Sequence, residues 1–202
     1  VSLRTTVVSV TVTPDGGGYW LLTAAGGVYN FGDAQWYGSP RRLAAGMVPE
    51  GLVAKPDGGG YWVYGQTGVV AAFGDAASLG PAGRPIVDLV ATPDSAGYRV
   101  VDSKGMVSAY GTAAFYGDER ASRLPHPVVG MAASPDGAGY WLVTHDGDIH
   151  PFGDATSSKP SVTAFVHTVV TAGDVATEWP WRNSASPTGG AASGPPCSTA
   201  PI

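Results

Sequence analysis

The stretch Pro14-Asp15-Gly16-Gly17-Gly18-Tyr19-Trp20, followed by Phe31-Gly32-Asp33-Ala34, decides the reading of this chain, because it recurs. Pro56-Asp57-Gly58-Gly59-Gly60-Tyr61-Trp62 precedes Phe73-Gly74-Asp75-Ala76. Pro93-Asp94-Ser95-Ala96-Gly97-Tyr98-Arg99 precedes Tyr110-Gly111-Thr112-Ala113, and Pro135-Asp136-Gly137-Ala138-Gly139-Tyr140-Trp141 precedes Phe152-Gly153-Asp154-Ala155. In every copy the proline lies 18 residues before the glycine of the second motif. From copy to copy the proline advances by 42, 37 and 42 residues. A rigid inner unit with a variable connector is how strands joined by tight turns behave when a looser loop links successive units.

Each copy reads as a meander. The residues before the proline (7–12, 86–90 and 128–131) are rich in Val, Ile and Leu, as strands prefer. Pro-Asp-Gly-Gly-Gly is a turn: Pro presets φ, Asp bonds its own backbone, and Gly reaches positive φ without steric cost. Asp15, Asp57, Asp94 and Asp136 are therefore read as turn formers. Gly18, Gly60, Gly97 and Gly139 recur in all copies, which marks a backbone position closed to other residues. A second strand starts at each Tyr. A hairpin follows at Gly26, Gly68, Gly105 and Gly147, and then a third strand carries Val28, Val70, Val107 or Ile149. Gln35-Trp36-Tyr37 and Ala114-Phe115-Tyr116 are candidates for a short fourth strand.

A sheet of about 40 residues cannot bury both faces alone, and stacking its neighbours against it solves this. Radial closure also leaves only short, protected edges. The expected fold is all-β and repeat-built, like a β-propeller, with four visible blades over residues 1–160 (copies 7–46, 47–84, 85–126 and 127–160). Trp20, Trp62 and Trp141 are then expected in the core between blades. Residues 161–182 read as a degraded repeat or a cap. Residues 183–202 reduce to Ser, Ala, Gly, Pro and Thr and read as a disordered tail.

Composition narrows the function. Gly (30) and Pro (17) make up nearly a quarter of the 202 residues, and their regular spacing among aromatics argues for turns over disorder. Net charge is −5 and no basic run is denser than Arg41-Arg42, so no nucleic-acid partner is expected. The single cysteine, Cys197, excludes an internal disulfide and a cysteine-based metal site. No apolar run is long enough for a membrane-spanning helix. The low charged fraction, 13%, fits a secreted or cell-surface protein. Oligomeric state is left open.

The combined pattern over about residues 7–158 resembles a repeat of secreted and cell-surface proteins of high-GC Gram-positive bacteria. The resemblance implies propeller blades with no catalytic residues of their own, often beside hydrolase or cell-wall-lytic domains, and so an exported accessory module. Copy three departs from the pattern at Arg99 and at Tyr110-Gly111-Thr112.

No nucleophile elbow and no phosphate-binding glycine loop occurs. His145 and His150 flank Asp146-Gly147-Asp148, but the hairpin tip varies between copies (Ala24, Gln66, Ser103), so it reads as a solvated turn and not a metal site. No catalytic residue, metal or cofactor is expected. The best contact candidates are the connector aromatics Trp36, Tyr37, Phe115 and Tyr116, whose rings suit sugars or protein partners. The expectation is a non-catalytic binding or scaffold module at the cell envelope, with a cell-wall glycan or surface protein as ligand. Its rivals are a secreted hydrolase with acidic residues in a propeller channel and a purely structural spacer.

Overall fold

The computed structural model describes residues 5–40 and 47–155. They form four three-stranded antiparallel sheets, one per repeat. The sheets are β1 (Val7–Val12), β2 (Gly18–Thr23) and β3 (Val28–Gly32); β4 (Pro49–Ala54), β5 (Gly60–Gly65) and β6 (Val70–Gly74); β7 (Asp88–Ala91), β8 (Gly97–Val101) and β9 (Val107–Gly111); and β10 (Val128–Ala133), β11 (Gly139–Thr144) and β12 (Ile149–Gly153). The first strands pack in series, β1 on β4, β4 on β7 and β7 on β10. Side chains tie them: Thr11 Oγ1 donates to Leu52 O (2.6 Å), and Met131 N donates to Asp88 Oδ2 (2.8 Å). All four first strands line one cavity of about 360 Å3. The architecture is all-β and β-propeller-like, as the repeat pattern predicts. The expected segments at 161–182 and 183–202, and the ends of copies one and four at 41–46 and 156–160, lie outside the described residues.

The core is made between units by two different faces. The second strand places the Tyr on one face and the Trp on the other, because adjacent strand residues point to opposite sides. Trp20, Leu22, Val28 and Ala34 of unit one pack with Leu52, Tyr61, Val63 and Phe73 of unit two. Val53, Trp62 and Tyr64 of unit two pack with Leu89, Tyr98 and Val100 of unit three. Val101 and Val107 of unit three pack with Met131, Tyr140 and Leu142 of unit four. Each core therefore joins the Trp face of one unit to the Tyr face of the next. The rings meet at 5.5 Å in both Trp20–Tyr61 and Trp62–Tyr98. The expected placement of the tryptophans between blades holds for Trp20 and Trp62, and Trp141 is buried too.

One expectation changes. The segments around Trp36 and Phe115 are not fourth strands. Their backbone is engaged elsewhere: Gln35 O accepts the Trp20 indole N–H (2.8 Å), Ala114 O accepts from Arg99 Nε (2.7 Å), and the following Gly38 and Gly117 take φ of 144° and 128°. A strand pairing would require those groups and an extended glycine. The invariant Gly18, Gly60, Gly97 and Gly139 owe their identity to contact and not to φ. None of them has positive φ; that conformation falls on Gly16, Gly58, Ser95 and Gly137 in the turn. The invariant positions are closed by contact instead. A Cβ on Gly60 would lie 2.3 Å from Phe73 O, and one on Gly18 would lie 2.4 Å from Phe31 O.

Candidate functional site

The turns and connectors gather at one end of each inter-unit junction. In every turn the Asp accepts a backbone N–H two residues on: Gly17 N to Asp15 (3.2 Å), Gly59 N to Asp57 (3.0 Å), Ala96 N to Asp94 (3.0 Å) and Ala138 N to Asp136 (3.1 Å). Hydroxyls of Thr13, Thr92 and Ser134 hold the carboxyls of Asp15, Asp94 and Asp136 below the usual carboxylate range, with the backbone N–H as the next cause. Asp57 is also lowered, first by the Gly59 N–H and then by Lys55. Lys55 stands where the other units carry a hydroxyl. Its ammonium bridges Asp75 (2.6 Å) and Asp57 (3.0 Å).

The Asp of Phe-Gly-Asp lies over the same turn. A Cβ on Gly17 would be 2.1 Å from Asp33 Oδ2, and one on Gly59 would be 2.4 Å from Asp75 Oδ2. The two motifs of the repeat are thus one structure, and the middle glycine makes room for the distant carboxylate. This link follows from the close approach of strands that are far apart in sequence, and the recurrence of both motifs is its only signal there.

Two clefts result. One, of about 270 Å3, lies between units one and two and includes Asp15, Asp33, Asp57, Trp20 and Tyr37 in its lining. Its counterpart between units three and four, of about 200 Å3, includes Asp94, Asp136, Arg99 and Tyr116. Of the connector aromatics, Trp36 and Phe115 project outward, 54% and 50% exposed. They occupy matching positions of units one and three. Tyr37 and Tyr116 serve the junctions. The Tyr37 hydroxyl donates to Gly58 O (2.6 Å) and its ring meets Tyr61 edge-on, while Tyr116 carries the Arg99 guanidinium over its ring at 5.2 Å.

Arg99 is a departure from the repeat that the geometry explains. Its Nε donates to Ala114 O, the same carbonyl position that the indoles of Trp20 and Trp62 use, and its Nη2 donates to Gly137 O (2.9 Å). Its guanidinium also lies 5.3 Å from the Tyr140 ring, where a tryptophan meets the tyrosine elsewhere.

The central cavity offers less chemistry. Among the described residues, Lys55 is the one charged side chain in its lining. Asp88, nearby on β7, accepts from Leu89 N and Met131 N and from the Tyr64 hydroxyl. Around the fourth hairpin, His150 on β12 pairs with Glu119 (3.1 Å), while at the tip His126 lies 3.6 Å from Asp146 and Thr144 donates to Asp146 (2.6 Å). Among the described residues no cluster of three His, Asp or Glu side chains is arranged to hold a metal.

No protein-family model matches the chain, and a search of curated proteins also finds no match. Among solved structures, the fold is similar to that of hydrazine synthase from Kuenenia stuttgartiensis, with a TM-score of 0.56 and 15% sequence identity. The match covers 76% of this chain and 47% of that one, so the chain spans about half the length of this structural relative. At that identity the likeness concerns the fold alone.

Proposed function

We propose that the chain is a secreted, non-catalytic binding module that holds a neutral glycan of the cell envelope at its connector clefts. The observation that carries this reading is a repeated pairing. Trp36 and Phe115, half exposed, stand at matching positions beside two clefts lined by turn carboxylates. An exposed ring offers an apolar face to a sugar. Carboxylates held in their charged form accept hydrogen bonds from hydroxyls. The acidic rims disfavour a phosphorylated or carboxylated ligand. Two such sites on one rigid body let a polymer engage both, so weak contacts combine into stable attachment.

The hydrolase reading draws no support from the central cavity, where the described lining residues include no carboxylate. Export and an envelope location follow the resemblance of the repeat and the low charge of the chain.

The test is cosedimentation of the chain with purified cell-wall material, beside a Trp36→Ala, Phe115→Ala double variant. Both side chains are exposed, so the variant keeps its fold, which circular dichroism checks. Pelleting of the native chain that falls at least tenfold in affinity in the variant supports the proposal. Equal pelleting of both, or none by either, removes it.

A further inference from the structure

The turn clefts are acidic, and the opposite end of the third junction carries a cavity of the other sign. β8 leaves its turn at Gly97 and ends at Val101, and Ser103 and Lys104 follow at the hairpin tip, a full strand away from the turn carboxylates. This tip and the connector from unit three to unit four line a cavity of about 430 Å3. Its lining holds Lys104, Arg120, Arg123 and His126 with the hydroxyls Ser103 and Ser122, and the described lining residues include no carboxylate. The chain as a whole is acidic, at −5, with only 11 Lys and Arg, so bringing Lys104, Arg120 and Arg123 to one cavity reverses the charge locally.

Main chain holds the walls in place. Glu119 N donates to Gly105 O (3.0 Å), Val128 N to Ser103 O (2.9 Å) and Ser122 N to Glu119 O (2.9 Å). Hairpin and connector touch, since a Cβ on Gly105 would lie 2.7 Å from that of Glu119. Asp118 grips Arg120 through Nε alone, at 2.8 and 3.0 Å, which aims the rest of the guanidinium. His126 faces Asp146 at 3.6 Å. Lys104 and Arg123 have no ion-pair partner among the described residues.

The charge belongs to this junction and not to the fold. The same strap occurs one unit earlier, where Ala82 N donates to Gly68 O (2.8 Å). There Thr67 stands in the place of Lys104, and units one and four carry Ala25 and Asp146. The connector to unit four is also longer, with 42 residues between prolines against 37 one unit earlier, and Arg120 and Arg123 lie in the added stretch.

We infer that this cavity is a binding site for a phosphate group, free or carried on a small sugar. Guanidinium and ammonium groups are the side chains that recognise phosphate. A tetrahedral anion accepts hydrogen bonds from several directions, and here the hairpin and the connector offer donors from two sides. Small-ligand pockets usually span about 300–1,000 Å3, so the cavity has room for more than a bare ion, with Leu124 and Pro125 as an apolar wall. The site stands independently of what the turn clefts bind, because their carboxylates repel the ligand that this cavity attracts.

Isothermal titration calorimetry of the full chain with inorganic phosphate, glucose-6-phosphate and glucose, in about 0.15 M NaCl, tests the inference. Saturable binding of a phosphate probe is expected, and none of glucose. Tighter binding of the sugar ester assigns the site to a phosphosugar, and equal or weaker binding of the ester assigns it to free phosphate. A Lys104→Glu, Arg123→Glu double variant is expected to lose affinity about tenfold or more, while Lys104→Arg keeps it. Both side chains are exposed, so the fold persists, which circular dichroism checks. The Trp36→Ala, Phe115→Ala variant is expected to bind phosphate as the native chain does, whatever it does to cosedimentation. No saturable binding of either phosphate probe overturns the inference. So does equal affinity in the native chain and the Lys104→Glu, Arg123→Glu variant, or binding of glucose as tight as that of its phosphate.

Discussion

The Nε of Arg99 donates to the carbonyl oxygen of Ala114 at 2.7 Å, and in doing so the arginine takes the place of an indole. Its Nη1 is buried without a hydrogen-bond partner, so the replacement is incomplete. Arg99→Trp restores the side chain of the other units and removes that unsatisfied donor. It is expected to leave stability unchanged or raise it by about 1 kcal/mol, since apolar replacements of buried charges are often neutral or better. Arg99→Ala leaves Ala114 O and Gly137 O without their donor and opens a cavity. It is expected to cost about 3 kcal/mol. Urea denaturation of the two variants checks both.

Glu50 occupies the extra position of a β-bulge, between Pro49 and Gly51, where units one, three and four carry Val8, Val87 and Val129. Its Oε2 is buried without a partner, and burial, with the Asp88 charge second, raises its pKa above the ordinary 4.5. An acid with a raised folded pKa weakens the fold at pH values above its unfolded pKa. Glu50→Val is therefore expected to stabilise the protein at pH 7 by about 1 kcal/mol. The gain should shrink as pH falls from 7 through the raised folded pKa and be gone below about 4.5, where the glutamate carries its proton in both states. Denaturant midpoints at pH 7 and pH 4 read this difference, and a gain that does not depend on pH contradicts it.

Acid should also attack the turns. The carboxyls of Asp15, Asp57, Asp94 and Asp136 are lowered from 3.8 in the folded chain. Their contribution is complete above an unfolded pKa of about 3.9 and is lost as pH falls through the lower folded values. At the other end, burial pushes Tyr61 and Tyr98 up to about 12, so unfolding gains ground as pH rises past about 10. Thermal midpoints measured against pH should form a plateau with losses beyond both limits. A midpoint that holds at pH 3 rules out the turn carboxylates as the source of acid sensitivity.

Gly60→Ala is expected to be among the most damaging single changes. The new methyl would sit 2.3 Å from Phe73 O and 3.0 Å from Ala76 N, both backbone atoms that cannot swing aside. A loss of about 3 kcal/mol or more is expected, the scale of severe overpacking. By contrast, Gly58→Ala meets nothing within 4 Å but must hold a φ of 78°, which costs a side chain about 1–2 kcal/mol. Chemical denaturation of the pair should rank them in that order.

Much of this was open to reading from the sequence, for a physical reason. Strands and tight turns have fixed lengths, so the 18-residue spacing survives in every copy and exposes the meander, and the alternation of Tyr and Trp assigns them to opposite faces. The connectors resisted reading. Trp36 lies in an aromatic run that resembles a strand, yet the carbonyl beside it belongs to an indole fifteen residues back in the chain. Arg99 looked like a break in the repeat because residue type hides the shared position of a donor. The reason for Gly18 was also out of reach, since the obstructing Phe31 O arrives from another strand. Of the aromatic contact candidates, the pattern could not separate Trp36 and Phe115, which project, from Tyr37 and Tyr116, which brace the junctions.

The tyrosine at each junction also reaches backward. The Tyr61 hydroxyl donates to Gly38 O (2.6 Å) and accepts from Gly38 N (3.0 Å), Tyr98 donates to Gly80 O (2.9 Å), and Tyr140 donates to Gly117 O. Every connector so held belongs to the unit before the tyrosine. A ribosome delivers that connector first and its latch a few seconds later, at ordinary synthesis rates of about 5–20 residues per second. The first three blades are thus each closed by a residue that is synthesised after them, so none of these three can be complete before part of its successor has emerged.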